Sequence, residues 1–380
     1  MAQSRLVKWS PGVVALLGGI AFLLMVAPAT LAYSRTHDFL NFYAGGLLAR
    51  TDPAHLFDPG VQSKLQFQLA PAIPIFTPFC RPAVWALGYL PLSYLSLDNA
   101  FAVWIALDLV VTLLLYAWLA RRFGPDVLVY CAFFLPLLYG IIHGQDTVFV
   151  AALTVLAYLA AERGRKTLCG VLLAMLLIKF HLFLLIPVML LYRREWRMLA
   201  GYAPAAFIQI AVSVAIASPR SYIDLLMNRD LEALHPSPHM MVNLNAICAN
   251  FGIQSPVVLA VLTSAVLAAL FLIPRNAPLD RWLWATVAAG LLITPHTFEY
   301  DVAFLIFPIM KTVMDPALAR PLRWIAATAA IPIPYFMTLL PKPYSAAPAL
   351  LIGLLFLSFA WPEWFDRRLA AARPEQPAVA

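Results

Sequence analysis

Residues 99–119 read NAFAVWIALDLVVTLLLYAWL, an unbroken apolar run in which Asp108 is the single charged residue. An α-helix crosses a bilayer core of about 30 Å with about 20 apolar residues. The run has that length and its one charge lies near the middle. We therefore predict a transmembrane helix here, with Asp108 facing protein rather than lipid because an isolated charge is costly in hydrocarbon.

The rest of the chain is built in the same way. Its 380 residues are 62% hydrophobic and 12% charged, with a mean hydropathy of +0.81, whereas soluble domains carry about a quarter charged residues. The sequence predicts an all-α protein, a polytopic transmembrane helical bundle with about 11–12 membrane segments and outward-facing loop helices. The other apolar stretches are 11–33, 127–142, 147–161, 167–192, 199–217, 256–273, 282–293, 301–314, 324–339 and 347–361.

The basic residues indicate an orientation. The pI of about 9.3 does not indicate nucleic-acid binding, because Lys and Arg stand in short clusters between apolar runs, as they do in cytoplasmic loops. With the N-terminus placed inside, eighteen basic residues lie inside and seven outside, and Lys179 within a hydrophobic segment completes the 26. The positive-inside rule then predicts that both termini are cytoplasmic.

We expect one integral membrane domain over residues 1–362, a short cytoplasmic tail over 363–380, and outer loops at about 34–98 and 218–250. The first apolar run is interpreted as a retained anchor, because it is too long for a signal-peptide core. Basic clusters flank both ends of 167–192, so that segment is predicted to turn back at Lys179-Phe180-His181. Whether it spans or re-enters the membrane stays open, as it does for 79–95.

Asp38 is the first candidate for catalysis. It follows His37 just beyond the first apolar run, where a carboxylate on the outer side can accept a proton from a substrate hydroxyl and a neighbour can orient it. The alternative is that Asp38 only caps a surface helix that begins near Phe39.

Lys179 and His181 form the second candidate site, at the predicted turn inside the membrane. A buried cation beside a histidine suits a lipid phosphate. The alternatives are that the lysine side chain reaches the membrane surface or pairs with a buried carboxylate such as Asp108.

Two polar turns are expected at the outer boundary. His143-Gly144-Gln145-Asp146 precedes an apolar helix, and Asp146 is either its N-cap or part of a substrate contact. The run 294–301 (TPHTFEYD) concentrates His296, Glu299, Tyr300 and Asp301 between two apolar segments. It is either a solvated turn or part of a site at the depth of Asp38.

A metal site is not predicted. Six of the seven histidines map to the outer side, but HxH, HExxH and paired Cys/His spacings are missing from the sequence. The four cysteines are scattered and are expected to pack in the interior.

Taken in order, these motifs resemble glycosyltransferase family 87, the polyprenyl-phosphate-mannose-dependent mannosyltransferases of the GT-C superfamily. The resemblance covers about residues 11–314 and rests on HDFLNFYA (37–44), DPAHLFDP (52–59), residues 78–91, GQD (144–146), GVLLAMLLIKFH (170–181) and TPH (294–296). It implies a GT-C fold with a groove for the carrier lipid and an outward catalytic cavity.

The resemblance also implies residue roles. Asp38 matches the acid that deprotonates the acceptor, His296 matches a turn that contacts the donor, and Lys179 matches a lysine of the family's Gly…Lys motif. The expected catalytic residues are Asp38 and His296, and the expected substrate- or donor-binding residues are His37, Asn41, Tyr43, Arg81, His143, Gln145, Asp146, Lys179, His181, Glu299 and Tyr300.

Two residues depart from the family's pattern. Asp146 stands where the family usually has Asn, and Arg81-Pro82 stands where Pro-Pro is common. The added charges suggest a different sugar or acceptor.

The implied activity is the inverting transfer of a hexose, with mannose first, from a polyprenyl-phosphate sugar to a lipid or glycan acceptor at the outer face of a bacterial inner membrane. No cofactor, metal ligand or nucleic-acid partner is expected, because the lipid-linked donor carries its own leaving group and the sequence has no nucleotide-binding motif. The alternative function is a membrane transporter or lipid flippase with an intramembrane Lys/His site.

Overall fold

The computed structural model describes residues 38–71, 76–228, 231 and 237–365, and within these ranges the protein is entirely helical with no β-strand. The expectation of an all-α membrane protein is confirmed. The first helices are α1 (Asp38–Thr51), α2 (Pro59–Leu69), α3 (Ala83–Tyr89), α4 (Leu97–Phe123), α5 (Val127–Phe133), α6 (Leu135–Ile142), α7 (Thr147–Glu162), α8 (Lys166–Met175), α9 (Phe180–Phe183) and α10 (Leu185–Tyr192).

The second half continues with longer helices and short breaks. Its helices are α11 (Trp196–Ile216), α12 (Pro219–Leu226), α13 (Leu244–Asn250), α14 (Pro256–Phe271), α15 (Leu279–Ile293), α16 (Ile306–Met314), α17 (Arg320–Ala330), α18 (Ile333–Phe336) and α19 (Ala347–Ala360). The predictions for His37, for the 11–33 helix and for residues 366–380 lie outside the described residues.

Helix α4 contains the stretch 99–119 and has two different faces. It begins where the Ser96 hydroxyl accepts a hydrogen bond from the Asn99 backbone N–H (3.4 Å). Side chains such as Val110 and Leu114 are exposed on the face suited to lipid, whereas Trp104 and Asp108 are buried against the protein. The predicted apolar helix is confirmed, and Asp108 is buried within the protein.

Three helical stretches in the described part of the chain are long and apolar enough to cross a membrane, namely Leu97–Phe123, Lys166–Phe183 and Trp196–Ile216. A fourth is counted if Arg320–Ala330 and Ile333–Leu339, bent by 55°, form one span. The remaining apolar helices are shorter, so the total of about 11–12 segments stays a prediction.

The segment 167–192 turns back on itself as expected. Lys166 and Glu195, at its two ends, form an ion pair (2.9 Å), and the helix is interrupted at Lys179, which has φ −114° and ψ 53°. Gly170 and Gly201 allow α8 and α11 to touch, because a Cβ on Gly170 would lie 1.8 Å from the Met198 carbonyl oxygen. This contact holds the first turns of α8 and α11 together.

Helix α2 begins at the Asp58-Pro59 pair. Asp58 accepts hydrogen bonds from the Gly60 and Val61 backbone N–H groups, which is a normal N-cap. Gln62 and Gln66 on the same helix are buried, because their side-chain amides bond the backbone of residues 77 and 79. The polar face of α2 therefore holds the following loop in place.

Helices α15 and α16 lie in the centre of the bundle. Nearly every α15 residue from Trp282 to Leu292 is buried, and so are Ile306 to Met310 in α16. The polar run 294–301 connects these two buried helices. Its side chains are therefore held against the core rather than in a free loop.

Candidate functional site

The predicted site residues surround one cavity of about 460 Å³. Helix α1, the loop held by α2, the turn before α7, the Lys179 turn and the run 294–301 all contribute to it. The predicted residues that line the cavity are Asp38, Asn41, Arg81, His143, Gln145, Lys179, His181, His296, Glu299 and Tyr300.

Four buried charged residues form what we call the floor cluster: Arg81, Asp146, Lys179 and Asp301. The Lys179 Nζ atom lies 2.6 Å from Asp301 Oδ1 and 3.6 Å from Asp146 Oδ1. Arg81 Nη2 lies 3.0 Å from the same Asp146 oxygen. Two cations and two carboxylates thus share one network, whose net charge is zero when all four are ionised.

Asp146 is not a helix cap. Its side chain makes no capping hydrogen bond to the start of α7 and instead accepts hydrogen bonds from Arg81 and from the Tyr89 hydroxyl (3.3 Å). Arg81 also donates to the Gln145 side-chain oxygen (3.3 Å). The GQD turn therefore holds Arg81 in place beneath the cavity.

Lys179 pairs with a buried carboxylate, which was one of the alternatives from the sequence, but the partner is not Asp108. The carboxylate is Asp301, 122 residues further along the chain. Its second oxygen accepts a hydrogen bond from the Phe298 backbone N–H (3.0 Å). The Lys179 ammonium also lies 4.9 Å from the Tyr300 ring centroid, which is cation–π geometry.

Asp38, His143 and Glu299 form what we call the rim of the cavity. Asp38 Oδ2 lies 3.5 Å from His143 Nδ1, and their side chains are 18% and 24% exposed. Asp38 is the first residue of α1, but Phe39 to Ala44 in that helix are buried, so the expectation of a surface helix is wrong. The residue begins a helix and also faces the cavity.

Glu299 adds a second acid to the rim. Burial raises the pKa of its carboxyl, while a backbone hydrogen bond, a hydrogen bond shared with the Thr338 side chain and the nearby His143 act in the opposite direction. Thr338 lies in the segment after α18 and also lines the cavity. A carboxyl and a hydroxyl side by side are suited to binding hydroxyl groups of a substrate.

His296 connects the rim to the floor cluster. Burial lowers its pKa, and the neighbouring Lys179 and Arg81 lower it further, although Asp301 and Asp38 oppose the change. The imidazole is therefore favoured in its neutral form at neutral pH. Hydrogen bonding is therefore the chemistry available to this imidazole.

Aromatic rings make up one wall of the cavity. Neighbouring ring centroids along this wall are 4.9 to 6.2 Å apart. The rings belong, in order, to Tyr139, His143, Tyr300, Phe298, His296 and His181. Such a wall offers flat apolar faces next to polar atoms, which is the surface on which the C–H face of a sugar ring packs.

Tyr43 is a predicted site residue that does not line the cavity. Its hydroxyl donates to the Leu95 carbonyl (2.8 Å) and its ring packs near Phe39, so it holds α1 against the segment after α3. His37 lies outside the described residues. Asp38 has His143 as its neighbouring imidazole instead.

Sequence reasoning did not assign roles to several residues that matter to this geometry. Asp301 belongs to the polar run singled out in the sequence, but its pairing with Lys179 was not predicted. Tyr139 precedes His143 by four residues, the spacing that places side chains on one helical face. Thr338 had no local signal, because it reaches the cavity only through the tertiary fold.

The described residues contain no group of three or more His, Cys, Asp or Glu side chains arranged to hold a metal ion. The cavity offers instead two carboxyl groups at the rim, two cations held in ion pairs, and neutral hydrogen-bonding groups between them. These groups suit proton transfer and anion binding.

The sequence matches the model of glycosyltransferase family 87 over residues 79–295, more than half of the chain. The chain belongs to glycosyltransferase family 87. The match includes Arg81, Asp146 and Lys179 but ends before His296, and Asp38 lies ahead of it. No curated protein and no solved structure matches this family member.

Proposed function

We propose that this glycosyltransferase transfers a hexose, with mannose as the first candidate, from a polyprenyl-phosphate carrier to a hydroxyl group of a lipid or glycan acceptor. One observation carries the proposal: Asp38 and His296 face the same cavity as Arg81, Lys179 and His181. A base and a group of phosphate-compatible donors in one cavity are what a transfer from a sugar phosphate requires.

Asp38 is the proposed general base. It is a partly exposed carboxylate of the rim that lines the cavity, where it can take a proton from an acceptor hydroxyl. His143, 3.5 Å away, orients the carboxylate and disfavours its movement away from the acceptor. Attack by the deprotonated hydroxyl on the anomeric carbon, in line with the leaving phosphate, inverts the configuration at that carbon.

The floor cluster is the proposed phosphate-binding end. Negative charge on the carrier phosphate increases as the glycosidic bond breaks, and preorganised N–H donors stabilise that change without reorganising. Arg81 and Lys179 are already fixed by Asp146 and Asp301. His296 and His181, which contact each other edge to face at 6.2 Å, supply neutral hydrogen-bonding groups beside them.

The aromatic wall lies between these two ends and is the proposed seat of the hexose. It runs from His143 at the rim to His181 near the Lys179 turn. In this proposal the acceptor hydroxyl lies near the rim, the hexose packs on the aromatic wall, and the phosphate lies near the floor cluster. The positive-inside rule assigns the excess of basic residues to the cytoplasmic side. This assignment supports an active site on the outer face of a bacterial inner membrane.

The test is transfer by purified protein in lipid nanodiscs, with radiolabelled polyprenyl-phosphate mannose and a total extract of bacterial membrane lipids as acceptor. Loss of a general base costs about a hundredfold to ten-thousandfold in rate, so Asp38→Asn is expected to lose transfer while still binding the donor. Asp224→Asn, at an exposed aspartate of α12, is the matched control and keeps full activity.

Transfer by Asp38→Asn at the wild-type rate would contradict the role of Asp38. Transfer of glucose or galactose but not mannose would contradict the sugar assignment alone. Movement of the labelled carrier across the bilayer without any product would instead support the flippase alternative.

A further inference from the structure

The buried face of α4 changes from aromatic to polar halfway along the helix. Phe101 and Trp104 occupy its outer half, and Asp108, Thr112 and Tyr116 follow at intervals of four residues. That interval places the three polar side chains above one another on one helical face. Asp108 is fully buried, and Thr112 and Tyr116 are 5% and 3% exposed.

None of these three side chains has a hydrogen-bond partner among the described residues. The unpaired atoms are both carboxyl oxygens of Asp108 and the hydroxyl oxygens of Thr112 and Tyr116. Thr147, which follows Asp146 at the start of α7, has a buried and unpaired hydroxyl as well. Buried polar groups in proteins are nearly always hydrogen-bonded, and ordered water satisfies those that protein groups do not reach.

The charge of Asp108 poses a separate problem. Both carboxyl oxygens of Asp108 are buried and have no partner among the described residues. The buried cations Arg81 and Lys179 are already engaged in the floor cluster. An ionised carboxylate without a counter-ion is costly in a membrane interior, and a proton removes that cost.

We propose that Asp108, Thr112 and Tyr116 bind water molecules along the buried face of α4, and that Asp108 carries a proton there. A protonated carboxyl and the two hydroxyls can each both donate and accept hydrogen bonds, so bound water satisfies all of them. The inference does not depend on the sugar or the acceptor.

Infrared spectroscopy of the protein in nanodiscs tests the proton. The wild type is expected to show the C=O stretching band of a protonated carboxyl, shifted in heavy water, that disappears in Asp108→Asn. Asp98→Asn, at the outer end of the same helix, is the matched control and keeps the band. A wild-type spectrum that matches that of Asp108→Asn overturns the proposal, and a sodium ion on an ionised Asp108 would give that result.

Radiolytic hydroxyl-radical labelling tests the water, because a buried side chain is modified only where bound water touches it. Tyr116 is expected to be labelled several-fold more than Tyr335, which is equally buried at 2% exposed but whose hydroxyl donates to the Ala329 carbonyl. Equal labelling of the two tyrosines overturns the proposal. The comparison is made within the wild type, so it holds even where Asp108→Asn fails to fold.

A third variant links the two measurements. Asp108→Leu replaces the carboxyl by an apolar group and is expected to bring Tyr116 labelling down to the level of Tyr335, whereas Asp108→Asn retains it. Unchanged labelling in Asp108→Leu would show that the water does not depend on Asp108 and would overturn its assignment as a ligand.

Discussion

The floor cluster and the rim of the cavity differ in how they hold charge. In the floor cluster, Lys179 is 2% exposed and bonds Asp301 at 2.6 Å. At the rim, Asp38 keeps 18% of its side chain exposed and lies 3.5 Å from His143. Buried ion pairs gain little net stability over apolar packing, but they are costly to break. The floor cluster therefore fixes the geometry of the cavity, whereas the rim keeps groups that can exchange protons with a substrate.

The largest expected effect, a loss of stability, comes from removing the Lys179–Asp301 ion pair of the floor cluster. Lys179→Met leaves Asp301 buried without its cation, and removal of one partner of a buried pair costs about 3–5 kcal/mol. We expect the free energy of unfolding, measured in mixed SDS micelles, to fall by about that amount. If Lys179→Met unfolds at the wild-type midpoint, the structural role assigned to the floor cluster is contradicted.

The double variant Lys179→Met/Asp301→Asn is the control for this loss. It removes the orphaned charge together with its partner, so a large part of the stability is expected to return. If the double variant is less stable than Lys179→Met, the cost comes from lost packing against Tyr300 and Phe304 rather than from charge.

At the rim the expected effect is on activity instead. His143→Phe keeps a ring of similar size but removes the imidazole nitrogen that lies 3.5 Å from Asp38, and a reacting group displaced by about 1 Å can cost about a hundredfold in rate. We expect transfer to slow by about ten- to a hundredfold. The stability is expected to change by no more than about 1 kcal/mol, because both side chains are partly exposed.

His143→Gln tests the same point with a polar replacement. It retains a hydrogen-bonding group near Asp38 and is expected to recover part of the rate. If His143→Phe destabilises the fold as much as Lys179→Met, the rim is as structural as the floor, and the division of roles between them fails.

The sequence allowed much of this architecture to be predicted, because the relevant signals are local. The apolar run 99–119 became one helix, and the Asp58-Pro59 pair became the start of α2. The basic clusters on both sides of 167–192 predicted a turn at Lys179, and Lys166 and Glu195 do meet. Each of these features depends on residues within one or two helical lengths.

Pairings between distant residues could not be predicted. Lys179 was expected to pair with Asp108 if with any acid, and Asp301 was instead the partner, because the central helices α15 and α16 bring the run 294–301 over the Lys179 turn. Tyr43 had the right chemistry for the site, but its hydroxyl donates to the Leu95 carbonyl and the residue does not line the cavity. Which of two buried carboxylates meets a lysine depends on helix packing.

Arg81 and Asp146 are the two residues that the resemblance marked as added charges. They contact each other at 3.0 Å, so their charges cancel within the floor cluster. We expect a coupling free energy of about 0.5–3 kcal/mol between them. Unfolding of Arg81→Gln, Asp146→Asn and the double variant measures it, and additive effects would show that the two substitutions are independent.

His296 gives the smallest expected effect and tests where the boundary between floor and rim lies. Burial, then Lys179 and Arg81, lower its pKa below the ordinary value of 6.5. The unfolded chain therefore takes up a proton first, and the stability is present above about pH 6.5 and declines as the pH falls below it, by at most about 1.4 kcal/mol for each pH unit. His296→Asn should lose less stability than the wild type between about pH 6.5 and pH 5. Parallel stability curves would mean that folding does not lower the pKa of His296. Diverging stability curves of the wild type and His296→Asn would group His296 with the floor cluster. It would then be a neutral hydrogen-bonding group beside the cations of the proposed phosphate-binding end.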